Sequence, residues 1–281
     1  MSKVQVALGP VQETLMIPLL GRAEESLKPG GLIQDDKAVE MVAKLDYDFS
    51  KWRGIRSLAG ACVRARMVDE EVLAFLERHP AGSVVEIGAG LNTRFERLDN
   101  GTARWLEIDL PDTMALRRRF FQDTERRTLL AASAVETDWL EQVDALPKPV
   151  CFVSEAVIIY IDGPKVEALL ERLAARYPGG WLITDTCDTP MRDNQDKHDA
   201  MQKLSPDAWF RWACDRPADL ERLGMRLDRS RSFMDAPAEF VSGMPPLYKW
   251  VFRLAPWLIR SKVEGYRINR FCLLGSPASA A

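Results

Sequence analysis

Residues 83–109 read S-V-V-E-I-G-A-G-L-N-T-R-F-E-R-L-D-N-G-T-A-R-W-L-E-I-D. An apolar run of Val84, Val85 and Ile87 ends in the turn Gly88-Ala89-Gly90, and a second apolar run ends in Glu107 and Asp109. Asp109 follows Gly88 by 21 residues. Strand, glycine turn, helix, strand and terminal acid form the layout of a nucleotide-binding βαβ unit. Glycines let the backbone approach a ligand closely, and an acid about 20 residues on accepts hydrogen bonds from two ribose hydroxyls.

The turn also separates one nucleotide from another. A dinucleotide site uses G-x-G-x-x-G, with the pyrophosphate on a helix N-terminus. Here Gly88-Ala89-Gly90-Leu91-Asn92-Thr93 lacks the third glycine. Glu86, two residues before the turn, is unfavourable beside a pyrophosphate but suits a cationic ligand. S-adenosylmethionine carries a sulfonium and an ammonium and no phosphate. The stretch therefore points to methyl transfer rather than to a nicotinamide oxidoreductase. The competing reading is an ordinary α/β turn in which glycine only closes the chain reversal; the flanking acids and strands count against it.

Composition narrows the classes further. A chain of 281 residues is enough for one large α/β domain or two small ones, and 47% hydrophobic with 28% charged residues is ordinary for a globule with a full core. A net charge of −3 leaves no basic surplus to drive nucleic-acid binding. The local clusters Arg117-Arg118-Arg119 and 226–231 read as solvated faces. The five cysteines are odd in number and show no C-x-x-C spacing, which fits a reduced, cytoplasmic chain. The two histidines share no metal-ligand spacing, so no metal site is expected. The start lacks a charged-then-apolar signal layout, and no apolar run approaches the roughly 20 residues needed to span a bilayer.

Residues 1–80 read as helical, with helices at 38–45 and 69–79. The second begins in acids and ends in Arg78 and His79, complementing the helix dipole. Strands are predicted at 84–87, 103–108, 128–133, 150–154 and 181–186, and helices at 111–121, 137–143 and 163–177. Their alternation predicts a parallel, doubly wound sheet. Beyond residue 190, 205–223 reads as a helix rich in Trp and Arg, and 226–233 as a strand. Trp250, Phe252 and Trp257 fall at helical spacing in 245–259, 266–274 alternates as a strand, and 276–281 reads as a frayed end. Two late strands without a crossover helix suit an antiparallel hairpin. The expected organisation is a helical cap (1–80), a cofactor-binding core (81–190), and a lid with the last strands (191–281), all in one domain.

Six motifs carry a family resemblance: E-T-L-M-I-P-L-L-G-R-A (13–23), D-Y-D-F (46–49), V-V-E-I-G-A-G-L-N-T-R-F (84–95), L-E-I-D-L-P (106–111), L-R-R-R-F-F (116–121) and S-E-A-V-I-I-Y-I (154–161). On them the chain resembles the leucine carboxyl methyltransferase family, and within it the bacterial polyketide O-methyltransferase branch, from about residue 11 to about residue 190. The resemblance implies a class I methyltransferase (Rossmann-like) α/β fold, a seven-stranded sheet whose last strand runs antiparallel, and S-adenosylmethionine as cofactor. It implies that Arg64 pairs with the cofactor's carboxylate and that Gly88 and Gly90 form the turn, beside which Glu86 is the acid already read as suiting a cationic cofactor. Asp109, with Glu107 as rival, holds the ribose, Ala134 and Val135 lie against the adenine, and Glu155 faces the ammonium with Tyr160 nearby. Two positions depart from the pattern: the branch has Asp where Asn92 stands, and phosphatase-type members have an acid where Ala134 stands.

The methyl of a sulfonium is already electrophilic, so the protein must align a nucleophile and exclude water. A carboxylate, with a pKa of about 4, needs no base at pH 7, whereas a phenol, at about 10, does. The shortage of histidine fits the carboxylate. Such an acceptor needs a cationic or hydrogen-bonding clamp. Arg22 and Tyr160 are the catalytic candidates, and Tyr47, Asp185 and Arg211 the acceptor-binding ones. Each has a bland alternative: a salt bridge from Arg22 to Glu24 or Glu25, a core tyrosine at 160, a solvated face for Arg211, a turn cap for Asp185. The expected function is O-methylation of a small-molecule carboxylate or hydroxyl in polyketide-type metabolism, with no nucleic-acid or membrane partner. Carboxyl methylation of a protein or peptide C-terminus, and a non-catalytic cofactor-binding module, stay open as alternatives.

Overall fold

The computed structural model describes residues 3–243 and 263–275. The apolar runs of mid-chain become five parallel strands: β1 (Ser83–Ile87), β2 (Arg104–Asp109), β3 (Arg127–Ala131), β4 (Val150–Ser154) and β5 (Trp181–Cys187). Two later strands, β6 (Met225–Ser232) and β7 (Tyr266–Leu273), complete a seven-stranded sheet in the order β3-β2-β1-β4-β5-β7-β6. β7 runs antiparallel to both β5 and β6, as expected for two late strands without a crossover helix between them. β1 pairs with β2 on one side and β4 on the other, so chain order reverses there. Such a reversal leaves a crevice beyond the carboxyl ends of the strands, where open α/β sheets bind ligands.

The helices are α1 (Met16–Ser26), α2 (Asp36–Lys44), α3 (Ser57–Arg78), α4 (Arg94–Leu98), α5 (Pro111–Arg117), α6 (Leu140–Asp144), α7 (Gly163–Arg176), α8 (Thr189–Asp193) and α9 (Ala238–Gly243). Every residue of β1, β4 and β5 is buried, which requires helices on both faces of the sheet. On one face Val85, Ile87 and Phe152 share a core with Leu169, Leu170 and Leu173 of α7. On the other, Val84, Trp105 and Cys151 share a core with Val68, Val72 and Phe75 of α3. Burial of each large apolar side chain contributes roughly 1.5–3 kcal/mol. α2 starts on Asp35, whose carboxylate accepts the Ala38 N–H at 2.9 Å.

The structure corrects the coarse reading in three places. The helix read at 69–79 is the second half of α3, which runs unbroken from Ser57. The first 80 residues also hold a short parallel bridge, Val4–Gln5 with Leu45–Asp46. Residues 205–223 are not one helix but two 3₁₀ turns, Pro206–Ala208 and Pro217–Leu223. Each proline opens a turn, having no N–H to continue one. Between them the N–H groups of Arg211 and Trp212 donate to the Ile159 carbonyl at 2.8 and 3.2 Å, and that of Cys214 to the Cys187 carbonyl at 2.8 Å. Tertiary hydrogen bonds thus replace the intrahelical ones. The helix read at 245–259 and the frayed end at 276–281 lie outside the described residues. No helix among the described residues is long and apolar enough to cross a membrane.

Candidate active site

A cavity of about 510 Å³ opens at the carboxyl ends of β1, β2 and β4. Its floor is the glycine turn. Gly88 and Gly90 adopt φ of 71° and 50°, and a Cβ at Gly88 would run into Val157. The N–H groups of Gly88 and Ala89 donate to the Ile108 carbonyl at 2.9 and 3.0 Å, tying the turn to β2. Asp109 ends β2 in the cavity wall. Its two oxygens accept the N–H groups of Gly90 at 2.6 Å and Leu110 at 2.7 Å. A carboxylate has about four lone-pair sites, so one per oxygen remains for a ligand. Burial raises the pKa of Asp109 despite those two hydrogen bonds.

Beside the turn lies a buried network of opposite charges. Arg94, at the start of α4, donates to Asp69 at 2.8 Å, to Glu86 at 2.6 Å and to Glu155 at 2.6 Å. Arg64 of α3 pairs with Glu155 at 2.8 Å and reaches Asp185 at 4.0 Å. Arg97 joins Asp69 to Asp35, and Asp35 pairs with Arg22 at 2.8 Å. Asp35, Asp69, Glu86, Glu155 and Asp185 thus face Arg22, Arg64, Arg94 and Arg97, one carboxyl more than guanidinium among the described residues. Burial works to raise the pKa of Glu155, but Arg64 and Arg94 outweigh it and hold the group at about 2. Asp185, facing fewer cations, is pushed up by burial to about 6. The peptide N–H of Ala156 donates to Asp185 at 2.8 Å. Ala156 itself is held at φ 54°, a left-handed conformation unusual for alanine, and so fixes the direction of Glu155 next to it.

Most of the residues singled out by sequence meet at this cavity. Arg22, Arg64, Glu86, Gly88, Gly90, Asp109, Ala134, Val135, Glu155, Tyr160 and Arg211 all contribute to its wall. Three do not. Glu107 sits two residues, about 6.6 Å, back from the end of β2. There it is buried and held at 2.8 Å each by Arg127 and by Arg117, which is itself fully buried and not on the solvated face read for 117–119. Tyr47 donates to Glu13 at 2.6 Å and accepts from Trp52 Nε1 at 2.9 Å within the N-terminal helices. Asp185 lies behind the wall and accepts from the hydroxyl of Tyr266, which is itself in the wall.

Four of the wall residues are tied in ways that limit them. Arg22 spends Nε on Asp35 and Nη2 on the Leu91 carbonyl, both at 2.8 Å, rather than pairing with Glu24 or Glu25. Both oxygens of Glu86 take Arg94 Nη1. Burial pushes Tyr160 up to about 12, so it stays a phenol and donates. Arg211 is half-exposed and 3.7 Å from Asp162. Wall residues His198 and Tyr266 and the hub Arg94 escape motif reading as site residues. Arg94 carried a usable signal, a basic residue just after the glycine turn with acids on the neighbouring strands. His198 and Tyr266 carried none.

The donor set fits S-adenosylmethionine. Asp109 keeps free lone pairs at the wall, the glycine cradle admits close approach, and the surplus carboxyl suits a cation. Asn92 Oδ1, also at the wall, is buried without a partner among the described residues. A sheet of this order, with a glycine turn at the reversal and an acid-ended β2, defines a class I S-adenosylmethionine-dependent methyltransferase. A crystal structure of a DUF574 family protein from Streptomyces avermitilis has the same fold, with a TM-score of 0.60 at 11% identity over 92% of this chain and 96% of that one. The leucine carboxyl methyltransferase family profile matches residues 16–174, and the chain belongs to that family. The tetracenomycin polyketide synthesis O-methyltransferase TcmP of Streptomyces glaucescens is 30% identical over 88% of this chain and 91% of its own length. The S-adenosyl-L-methionine-dependent methyltransferase dpfgK of Gibberella zeae is 26% identical over 79% of this chain and 81% of its own.

Proposed function

We propose that this methyltransferase transfers a methyl group to an oxygen of a small, largely apolar molecule of polyketide type. One observation carries this. A single cavity is bordered both by the polar strand ends and by Leu15, Ile17, Met191, Met201, Phe210 and Phe233. An apolar ring system and the cofactor thus fit one enclosure. The relationship to TcmP supports the polyketide class.

In this reading Asp109 accepts both ribose hydroxyls, while Gly88 and Gly90 let the backbone close on the nucleoside. Ala134 and Val135 lie against the adenine. Glu155 takes the ammonium and Arg64 the carboxylate, trading part of their mutual ion pair for ligand contacts. Glu86 acts through Arg94, keeping that guanidinium aimed at Glu155. When bound, the cofactor supplies an electrophilic methyl on a sulfonium. The chain aligns the acceptor oxygen behind that carbon and excludes water. Arg22 braces α1 against the glycine turn, Tyr160 donates a hydrogen bond at the acceptor end, and Arg211 guards the mouth with Asp162. Residues 1–80 act as a cap, 81–190 as the cofactor core and 191–281 as the lid. The five cysteines are free thiols, which fits the reducing cytoplasm.

Calorimetric titration with S-adenosylmethionine tests the reading. Wild type is expected to bind, and Asp109→Ala to bind about 100-fold more weakly, from the loss of two charge-assisted hydrogen bonds at about 1.5 kcal/mol each. A folded wild type that binds no cofactor sinks the proposal.

A further inference from the structure

We infer, on the methyltransferase reading above, that Asp185 sets the preference of the site for S-adenosylmethionine over S-adenosylhomocysteine. It is a positioning residue that acts through Arg64 and gives up a proton when the cofactor binds. Asp185 lies on β5, fully buried behind the cavity wall. Arg64 stands between two carboxyl groups, with Nε 2.8 Å from Glu155 Oε1 and 4.0 Å from Asp185 Oδ2. Asp185 Oδ2 accepts both the Tyr266 hydroxyl and the Ala156 N–H. Asp185 Oδ1 is buried with no hydrogen-bond partner among the described residues. An ionised carboxylate with one oxygen bare in the interior is costly, and a protonated one costs far less.

The groups that face Asp185 come from every element around it. They are Arg64 of α3, Glu155 just after β4, Tyr160 in the turn that follows, Tyr266 of β7 and Cys187 on β5 itself. Arg64 supplies the positive charge among them and is already paired with Glu155, so burial prevails and holds Asp185 at about 6. With Asp185 protonated, Asp35, Asp69, Glu86 and Glu155 face Arg22, Arg64, Arg94 and Arg97, and the buried network is neutral.

S-adenosylmethionine carries an ammonium, a carboxylate and a sulfonium, one net positive charge. Glu155 takes the ammonium, which loosens its hold on Arg64 and lets that guanidinium close on Asp185. The Asp185 O–H bond breaks, its electron pair stays on the carboxylate, and the proton leaves to water. The new negative charge then balances the sulfonium. S-adenosylhomocysteine has the same ammonium and carboxylate but a neutral thioether. With it bound, an ionised Asp185 would leave the network one charge negative, so Asp185 keeps its proton. Acid therefore weakens binding of the methyl donor and spares binding of the product.

The test is calorimetric titration of the wild-type chain with each of the two ligands between pH 5.0 and 6.5, in buffers of different ionisation enthalpy. Over that range the ammonium of either ligand stays protonated. Binding of S-adenosylmethionine is expected to release about half a proton at pH 6, and its Kd to rise about eightfold from pH 6.5 to pH 5.0. S-adenosylhomocysteine should release little and keep its Kd. Asp185→Asn should flatten the profile for S-adenosylmethionine, and its difference from wild type removes whatever Asp109 and His198 contribute at the same cavity. Tyr266→Phe takes a donor from Asp185 Oδ2, so that variant should keep the release and move its midpoint to higher pH. A merely structural role for Asp185 would move neither profile. Equal proton release with the two ligands, a wild-type Kd for S-adenosylmethionine that is flat across the range, an Asp185→Asn profile like that of wild type, or an unmoved Tyr266→Phe midpoint overturns the inference. A folded wild type that binds neither ligand sinks the methyltransferase reading instead.

Discussion

Asp109 and Glu155 stand on or just beyond strand ends, whereas His198 and Phe210 stand in a run of short turns. The strand-end side of the cavity is fixed by sheet register and by buried ion pairs. The tail side is fixed by single tertiary hydrogen bonds, such as the Gln195 amide gripping the backbone of Phe210 at 2.6 and 3.1 Å. A site held by register tolerates little change, because moving one member moves the sheet. A site held by isolated pins can change its lining residue by residue. The division suits a protein that keeps one cofactor while its acceptor differs.

The sharpest way to break this contrast is at the hub. Arg94→Met leaves Asp69, Glu86 and Glu155 short of their shared cation, and should cost about 3–5 kcal/mol of unfolding free energy in urea at pH 7. A loss under about 1 kcal/mol would show that the network does not brace the strand ends. Next comes acid titration. Glu155 is held at about 2 in the folded protein against an ordinary 4.5, so its stabilisation is present above pH 4.5 and disappears as pH falls towards 2. That is about 3 kcal/mol of pH-dependent stability by linkage. Glu155→Gln should lack it, and parallel stability curves for the two proteins would count against the assignment. The smallest effect belongs to the tail: Phe210→Ala should raise the acceptor KM several-fold, from about 1 kcal/mol of lost apolar contact, and leave the cofactor Kd unchanged. An equal fall in cofactor affinity would mean that the two sides are one unit.

The same contrast explains what the sequence made legible. The glycine turn and Asp109 announce themselves because a left-handed turn and a strand-end acid must sit at fixed offsets. Glu107 matched the pattern equally well, and only its distance from the strand end and its arginines separated it from Asp109. Arg22 lay in a matching motif, yet Asp35, which binds it, is 13 residues away and shares no motif with it. Residues 205–223 looked like one helix because composition is blind to the carbonyls of Ile159 and Cys187, which capture the backbone of Arg211, Trp212 and Cys214 between the two turns. Tyr266 and His198 reach the cavity by chain path alone. The antiparallel pairing of β7, by contrast, follows from two late strands with no crossover helix read between them.

Phe233, just after β6, and Tyr266, the first residue of β7, stack with ring centroids 5.6 Å apart and planes 7° from parallel. The two ends of the intervening segment are therefore clasped together at the cavity wall. The stack and the β6–β7 ladder that starts beside it thus hold the cavity wall and the sheet edge to each other. A change of either ring would therefore be felt twice, once by whatever occupies the cavity and once by the edge of the sheet.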